Sequence, residues 1–161
     1  KYNLEVRKPA VFLGSSLEDL RGLPSSVVSR IGYQIHRLQC GEQASNYRTM
    51  KSIGSGVCEI RINSQKGWYR ALYVANCEEA VYILHVFEKK SRKTSVNDIA
   101  RGRAAFGELQ RRRMRKCMSA GRGKSTKRNQ RWELKFGERV IASENKLVKE
   151  SVELWSSQHS H

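Results

Sequence analysis

Apolar residues fall along the chain in short runs of two periodicities, one helical and one strand-like. Val11-Phe12-Leu13, stopped by Gly14-Ser15-Ser16, predicts a first strand. Leu17 and Leu20 then stand at helical spacing behind Ser15 or Ser16 as N-cap, which predicts a short helix ending near Gly22-Leu23-Pro24. From Pro24-Ser25-Ser26 a longer stripe of Val28, Ile31, Ile35 and Leu38 marks one face of a second helix, closed by Gly41. The two helices are expected to run antiparallel across a tight turn.

Residues 42–56 are polar and glycine-containing and read as a loop. Three strands follow. Val57 to Ile62 alternates, placing Cys58, Ile60 and Ile62 on one face and Glu59 and Arg61 on the other. After a turn at Ser64-Gln65-Lys66-Gly67, Trp68 to Ala75 is strongly β-prone. Ala80 to Phe87 is apolar at nearly every position, the pattern of a central strand covered on both faces, and it stops at Glu88-Lys89-Lys90. Ser95 with Asp98 forms a capping-box pattern, and Val96, Ile99, Phe106 and Leu109 carry a last helix to about Arg112. The predicted fold is α+β: strand, helix, helix, an antiparallel three-strand meander, and a C-terminal helix.

Beyond Arg112 the periodicity is lost. Residues 1–112 read as one domain, and residues 113–161 as a basic, partly disordered extension. Within that extension Leu147, Val148, Val152 and Trp155 are spaced for a short amphipathic helix.

Charge adds a location to this outline. The 161 residues carry 31 Lys and Arg against 15 Asp and Glu, a net charge of +16. From Lys89 to Arg131 there are 16 basic residues, and Asp98 and Glu108 are the sole acids, so this stretch holds +14. A concentrated excess of this kind is a polyanion footprint, and nucleic acid fits better than a membrane surface because the stretch lacks a broad apolar face. Cys40, Cys58, Cys77 and Cys117 have no C-x-x-C spacing and are expected to be reduced, buried small side chains, with no metal or other cofactor. No apolar run is long enough for a membrane span, and the opening Lys1 to Lys8 has no signal-peptide pattern, so a cytoplasmic location is expected.

The sequence has no G-x-S-x-G, no P-loop and no H-E-x-x-H. It offers cations in and beside a sheet instead. Arg61 and Arg70 lie in adjacent predicted strands, Lys89 and Lys90 end the third, and Arg92 and Lys93 follow at once. Arg48 and Lys51 precede the first meander strand and are within reach of the same surface. Such a cluster suits RNA, which supplies its own 2′-hydroxyl nucleophile and asks for alignment, charge stabilisation and two proton transfers, with no metal. Arginine gives bidentate phosphate contacts, while lysine, tyrosine or histidine moves protons. Cross-strand pairing with Glu59 is the plainer reading of the strand arginines. His85, alternating with Val81, Ile83 and Phe87, reads equally as a proton carrier and as a core histidine; Tyr69, Tyr73 and Tyr82 read as packing residues.

The segments Leu17-Glu18-Asp19-Leu20 to Leu38, Met50 to Ile62 with G-S-G-V-C-E-I-R, Trp68 to Ala75 with Y-R-A-L-Y-V, and Val81 to Ser91 with H-V-F-E-K-K-S resemble the RelE/ParE toxin superfamily, in particular its HigB-like, phage-derived branch. The resemblance spans about residues 10–112 in order and spacing. It implies a toxin of a type II toxin–antitoxin system that cleaves mRNA on the ribosome and is neutralised by a cognate antitoxin, expected to be a helix-turn-helix protein. By motif position, Arg61, Arg70, Lys89 and Lys90 correspond to the family's RNA-contacting and catalytic cations, and His85 belongs to the branch's own signature. The extension from residue 113 has no counterpart in the family. Because the fold serves several targets, the competing expectation is a non-enzymatic protein: a ParE-like topoisomerase inhibitor or a phage-derived RNA-binding module.

Overall fold

A computed structural model describes residues 7–121. The elements are β1 (Ala10–Phe12), α1 (Ser16–Arg21), α2 (Ser25–Gln39), β2 (Tyr47–Thr49), β3 (Val57–Ser64), β4 (Gly67–Val74), β5 (Val81–Lys89) and α3 (Val96–Gly121). The five strands form one mixed sheet in the order β1-β5-β4-β3-β2. β1 runs parallel to β5, and every other pairing is antiparallel.

The sheet is packed on both faces. On one side α1 and α2 bury Leu20, Val27, Ile31, Ile35 and Leu38 against Ile60, Ile62, Tyr69, Tyr73 and Ile83. On the other, α3 brings Leu109, Ile99 and Phe106 onto Leu72, Val74, Leu84 and Phe87. Burial of one such large side chain contributes roughly 1.5–3 kcal/mol. The expected α2 stripe is turned slightly: Val27 is fully buried, while Val28 packs at the rim. The helix ends as its glycine foretold. Gly41 adopts φ +82°, its N–H donates to Leu38, and Glu42 N–H donates to Arg37, the paired bonds that satisfy the last carbonyls of a helix.

Several expectations are corrected. The sheet has a fifth strand, because Tyr47–Thr49, inside the expected loop, pairs with Cys58 to Ile60 as an exposed edge. The middle strand is β4; the apolar run of β5 is interior, between β1 and β4. Alternation along β5 breaks, since Leu72 faces His85 while Tyr73 faces Ile83, leaving Leu84 as a bulge. The bulge moves His85 and Phe87 to the face opposite Val81 and Ile83, so the four do not share a side as simple alternation predicts. α3 continues unbroken past Arg112 to Gly121. Glu108 carries ion pairs to Arg111, Arg112 and Arg115, and Arg113 binds Glu79 at 3.1 Å, so a segment that looks merely basic is held as helix. Of the four free cysteines Cys77 is buried and Cys58 half-buried, while Cys40 and Cys117 are exposed. The expected helix through Leu147, Val148, Val152 and Trp155 lies outside the described residues.

Candidate nucleic-acid interface

Residues paired directly across an antiparallel ladder share a face of the sheet. On the α3 face, Arg48, Glu59, Leu72 and His85 follow one another from β2 to β5. Beside them run Arg61, Arg70 and Phe87, and then Asn63, Trp68 and Lys89. α3 seals the Leu72 end, where a Cβ on Gly102 would come within 2.7 Å of the Leu72 side chain. The far end is open, with Trp68 50% exposed between exposed Asn63 and half-buried Lys89.

Arg61 and Arg70 are directly opposed, and like charges in that position destabilise a sheet. Arg70 forms the floor at 3% exposure, its Nη1 donating to the Tyr69 carbonyl at 2.8 Å and to Asn63 Oδ1 at 3.4 Å. Burial pushes the Arg70 guanidinium below its usual range, Glu59 pulls it up again, and Arg61 lowers it further. Glu59, 4% exposed, approaches Arg61 with Oε1 3.8 Å from Nε. That distance is too long for a hydrogen bond. Glu59 Oε2, Arg61 Nε and Arg70 Nε are all buried without a hydrogen-bond partner among the described residues. Three such atoms in one cluster depart from the usual satisfaction of buried polar groups and mark a site whose charges are not used up internally.

The structure thus brings Arg48, Arg61, Arg70 and Lys89 onto one face. Lys90 lies just past the end of β5, Arg92 and Lys93 occupy the bends before α3, and Lys51 sits in the turn after β2; all four are exposed and outside the cross-strand rows. His85 is committed elsewhere. At 3% exposure its Nε2 lies 2.9 Å from Asp98 Oδ1 of α3 and its Nδ1 3.7 Å from Asp19 Oδ2 of α1, and the ring stacks on Phe87. Asp98 is in turn held by Ser95, whose hydroxyl donates to Oδ2 and accepts the Asp98 N–H, so the expected capping box also anchors the histidine.

In the sequence Trp68 stands out only as a strand residue and Glu59 only as a structural partner for the strand arginines. An aromatic two residues before a strand arginine, and a carboxylate two residues before another, were the available signals, but their burial depends on pairings that the sequence does not state. Among the described residues no His, Cys, Asp and Glu cluster is suited to a metal ion, and no helix is long and apolar enough to cross a membrane.

No curated protein matches the chain. The model of the family described as Phage derived protein Gp49-like matches residues 18–106, from α1 through the first half of α3, and takes in every strand of the basic face. The chain therefore belongs to the Gp49-like family of phage-derived proteins, a toxin-type family.

Proposed function

We propose that the protein is the toxin of a type II toxin–antitoxin system, an endoribonuclease that cuts mRNA on the ribosome in the cytoplasm and is held in check by a cognate antitoxin protein. The observation that carries this reading is the direct opposition of Arg61 and Arg70 on a face that also holds Arg48, Lys89 and a half-exposed Trp68. A sheet retains opposed guanidinium groups at a cost in stability, and a polyanion removes that cost.

The chemistry follows from the substrate. The 2′ oxygen attacks the adjacent phosphorus, the bond to the 5′ oxygen breaks, and the products are a 2′,3′-cyclic phosphate and a 5′-hydroxyl. Arg61 and Arg70 stabilise charge on the nonbridging oxygens. Lys89, one row along β5 from Phe87, and Lys90 just past the strand end are assigned the proton transfers. Trp68 offers a stacking surface for an unstacked base. Glu59, 3.8 Å from Arg61 and electrostatically coupled to Arg70, offsets part of the repulsion within the unliganded cluster.

Mapping RNA 5′ ends after brief induction tests the reading. Discrete new 5′-hydroxyl ends in translated mRNA, lost in the Arg70→Ala, Lys89→Ala double variant, are the expected result. Intact mRNA with a DNA-damage response would instead identify a topoisomerase inhibitor.

A further inference from the structure

A second recess opens at the edge of the same sheet. It is a groove of about 580 Å³ between α2, the chain leading into β2, and the last residues of β3, lined among others by Arg30, Tyr33, Gln34, Asn46, Arg61 and Asn63. Its size is within the roughly 300–1,000 Å³ of ligand clefts. Its lining includes two arginines, one tyrosine and the amide residues Gln34, Asn46 and Asn63, and no carboxylate residue. The frame is fixed: Arg30 Nη1 donates to the Asn63 carbonyl at 2.7 Å, Ser45 N–H to Gln34 Oε1 at 2.7 Å, and Arg61 N–H to the Asn46 carbonyl at 2.9 Å. Arg61 belongs both to this groove and to the row facing Arg70.

We infer that this groove is a base-reading subsite that takes one unstacked nucleotide of single-stranded RNA flanking the bond held at Arg61 and Arg70. Positive charge without a carboxylate selects an anionic ligand. Amides on two walls suit the hydrogen-bonding edge of a base, and a tyrosine ring suits its face. A rigid frame lowers the ordering cost of binding. The inference rests on the nuclease reading for the identity of its ligand, but the two fail separately.

The test uses the full chain carrying Arg70→Ala, so that bound RNA survives, and end-labelled single-stranded RNA hexamers of uniform base, followed by fluorescence anisotropy over a salt series. The parent is expected to rank the homopolymers unequally. Tyr33→Leu should weaken the best of them roughly tenfold and level the ranking, with the salt slope unchanged because no cation is lost. Tyr33→Phe, which keeps the ring, should bind as the parent does. Asn46→Ala, at an exposed position, should also level the ranking and gives the same readout if Tyr33→Leu fails to fold. Arg30→Ala should reduce the salt slope by about one ion without changing the ranking. Parental affinity and ranking in both Tyr33→Leu and Asn46→Ala overturn the inference. A wild-type chain that ranks RNA through these residues and leaves mRNA on translating ribosomes uncut overturns the nuclease alone; one that cuts ribosome-bound mRNA with a base preference indifferent to them overturns the groove alone.

Discussion

The close approach of Phe106 in α3 to Gly54 gives the sharpest stability prediction. Gly54, in the turn between β2 and β3, lies under the ring of Phe106. A Cβ at Gly54 would stand 2.2 Å from Cε1, 2.5 Å from Cδ1 and 2.7 Å from Cζ of that ring. Ordinary carbon contacts begin near ~3.5 Å, so Gly54→Ala forces the ring or the turn to move by about 1 Å. Phe106 packs into the cluster with Leu72, Leu84 and Leu109, and the strain is shared with the α3 interface. Overpacking of this kind costs ~1–3 kcal/mol. For a domain of about this size each kcal/mol lowers Tm by ~4–8 °C. Urea unfolding followed by circular dichroism should show the loss as a shifted midpoint with an unchanged slope. Phe106→Leu, which clears the ring, should make Gly54→Ala much less harmful, with a coupling of at least ~0.5 kcal/mol in the double-variant cycle. A Gly54→Ala protein within ~0.5 kcal/mol of wild type, or strict additivity with Phe106→Leu, would refute the argument that this glycine is there for close approach.

Two further outcomes follow from the interface and one from the last turn of α2. Arg61→Ala should leave the urea midpoint unchanged or slightly raised, because an opposed charge is removed from beside Arg70, while RNA cleavage falls at least tenfold; a stability loss equal to that of a core truncation would show Arg61 to be structural. Asp98→Asn should destabilise the domain by ~1–3 kcal/mol, since it weakens both the helix cap and the bond to buried His85, and loss of amide protection at the start of α3 in hydrogen exchange would report it; unchanged protection there would sink this assignment. Acid should weaken the fold through His36. Burial and then Arg7 depress its pKa below 6.5, against Glu42. The unfolded chain therefore binds that proton first, so the His36 contribution is whole above the ordinary value and is lost as pH falls through the depressed folded value. Urea midpoints at neutral and mildly acidic pH should converge in His36→Gln relative to wild type, and an undiminished gap would exclude His36 as the source.

The order of elements was legible because it rests on periodicity. Ile31, Ile35 and Leu38 on one helical face, and Ile60 and Ile62 on one strand face, are consequences of local geometry that the sequence states outright. Features that depend on pairing were not legible. Tyr47–Thr49 has no buried position to betray it and is a strand because β3 lies beside it. The bulge at Leu84 arises from the register with β4, and it separates His85 from Val81 in a way that alternation cannot foresee. The site shows the same division. Arg61 and Arg70 were identifiable as strand cations, but their direct opposition, the burial of Glu59 and the engagement of His85 by two helices belong to the assembled sheet. Composition misjudged residues 113–121, where a run of arginines continues a helix because Glu108 and Glu79 are placed to receive them.

The parallel strand β1 has a consequence for handling the protein. β4 and β5 are two adjacent, nearly unbroken stretches of apolar and aromatic residues, the composition that propagates cross-β aggregation when an edge is left open. Three residues of β1 close one flank of β5, and the Leu13 N–H and Ser16 hydroxyl, both bonded to the Ile83 carbonyl, continue the closure into α1. β1 is itself tied down by Lys8, whose ammonium reaches the Cys77 carbonyl, and by Gln39, whose amide donates to the Lys8 carbonyl. A truncation that begins where the family match begins, at residue 18, would strip this guard from β5, and a larger insoluble fraction on expression than the full chain gives is the expected outcome.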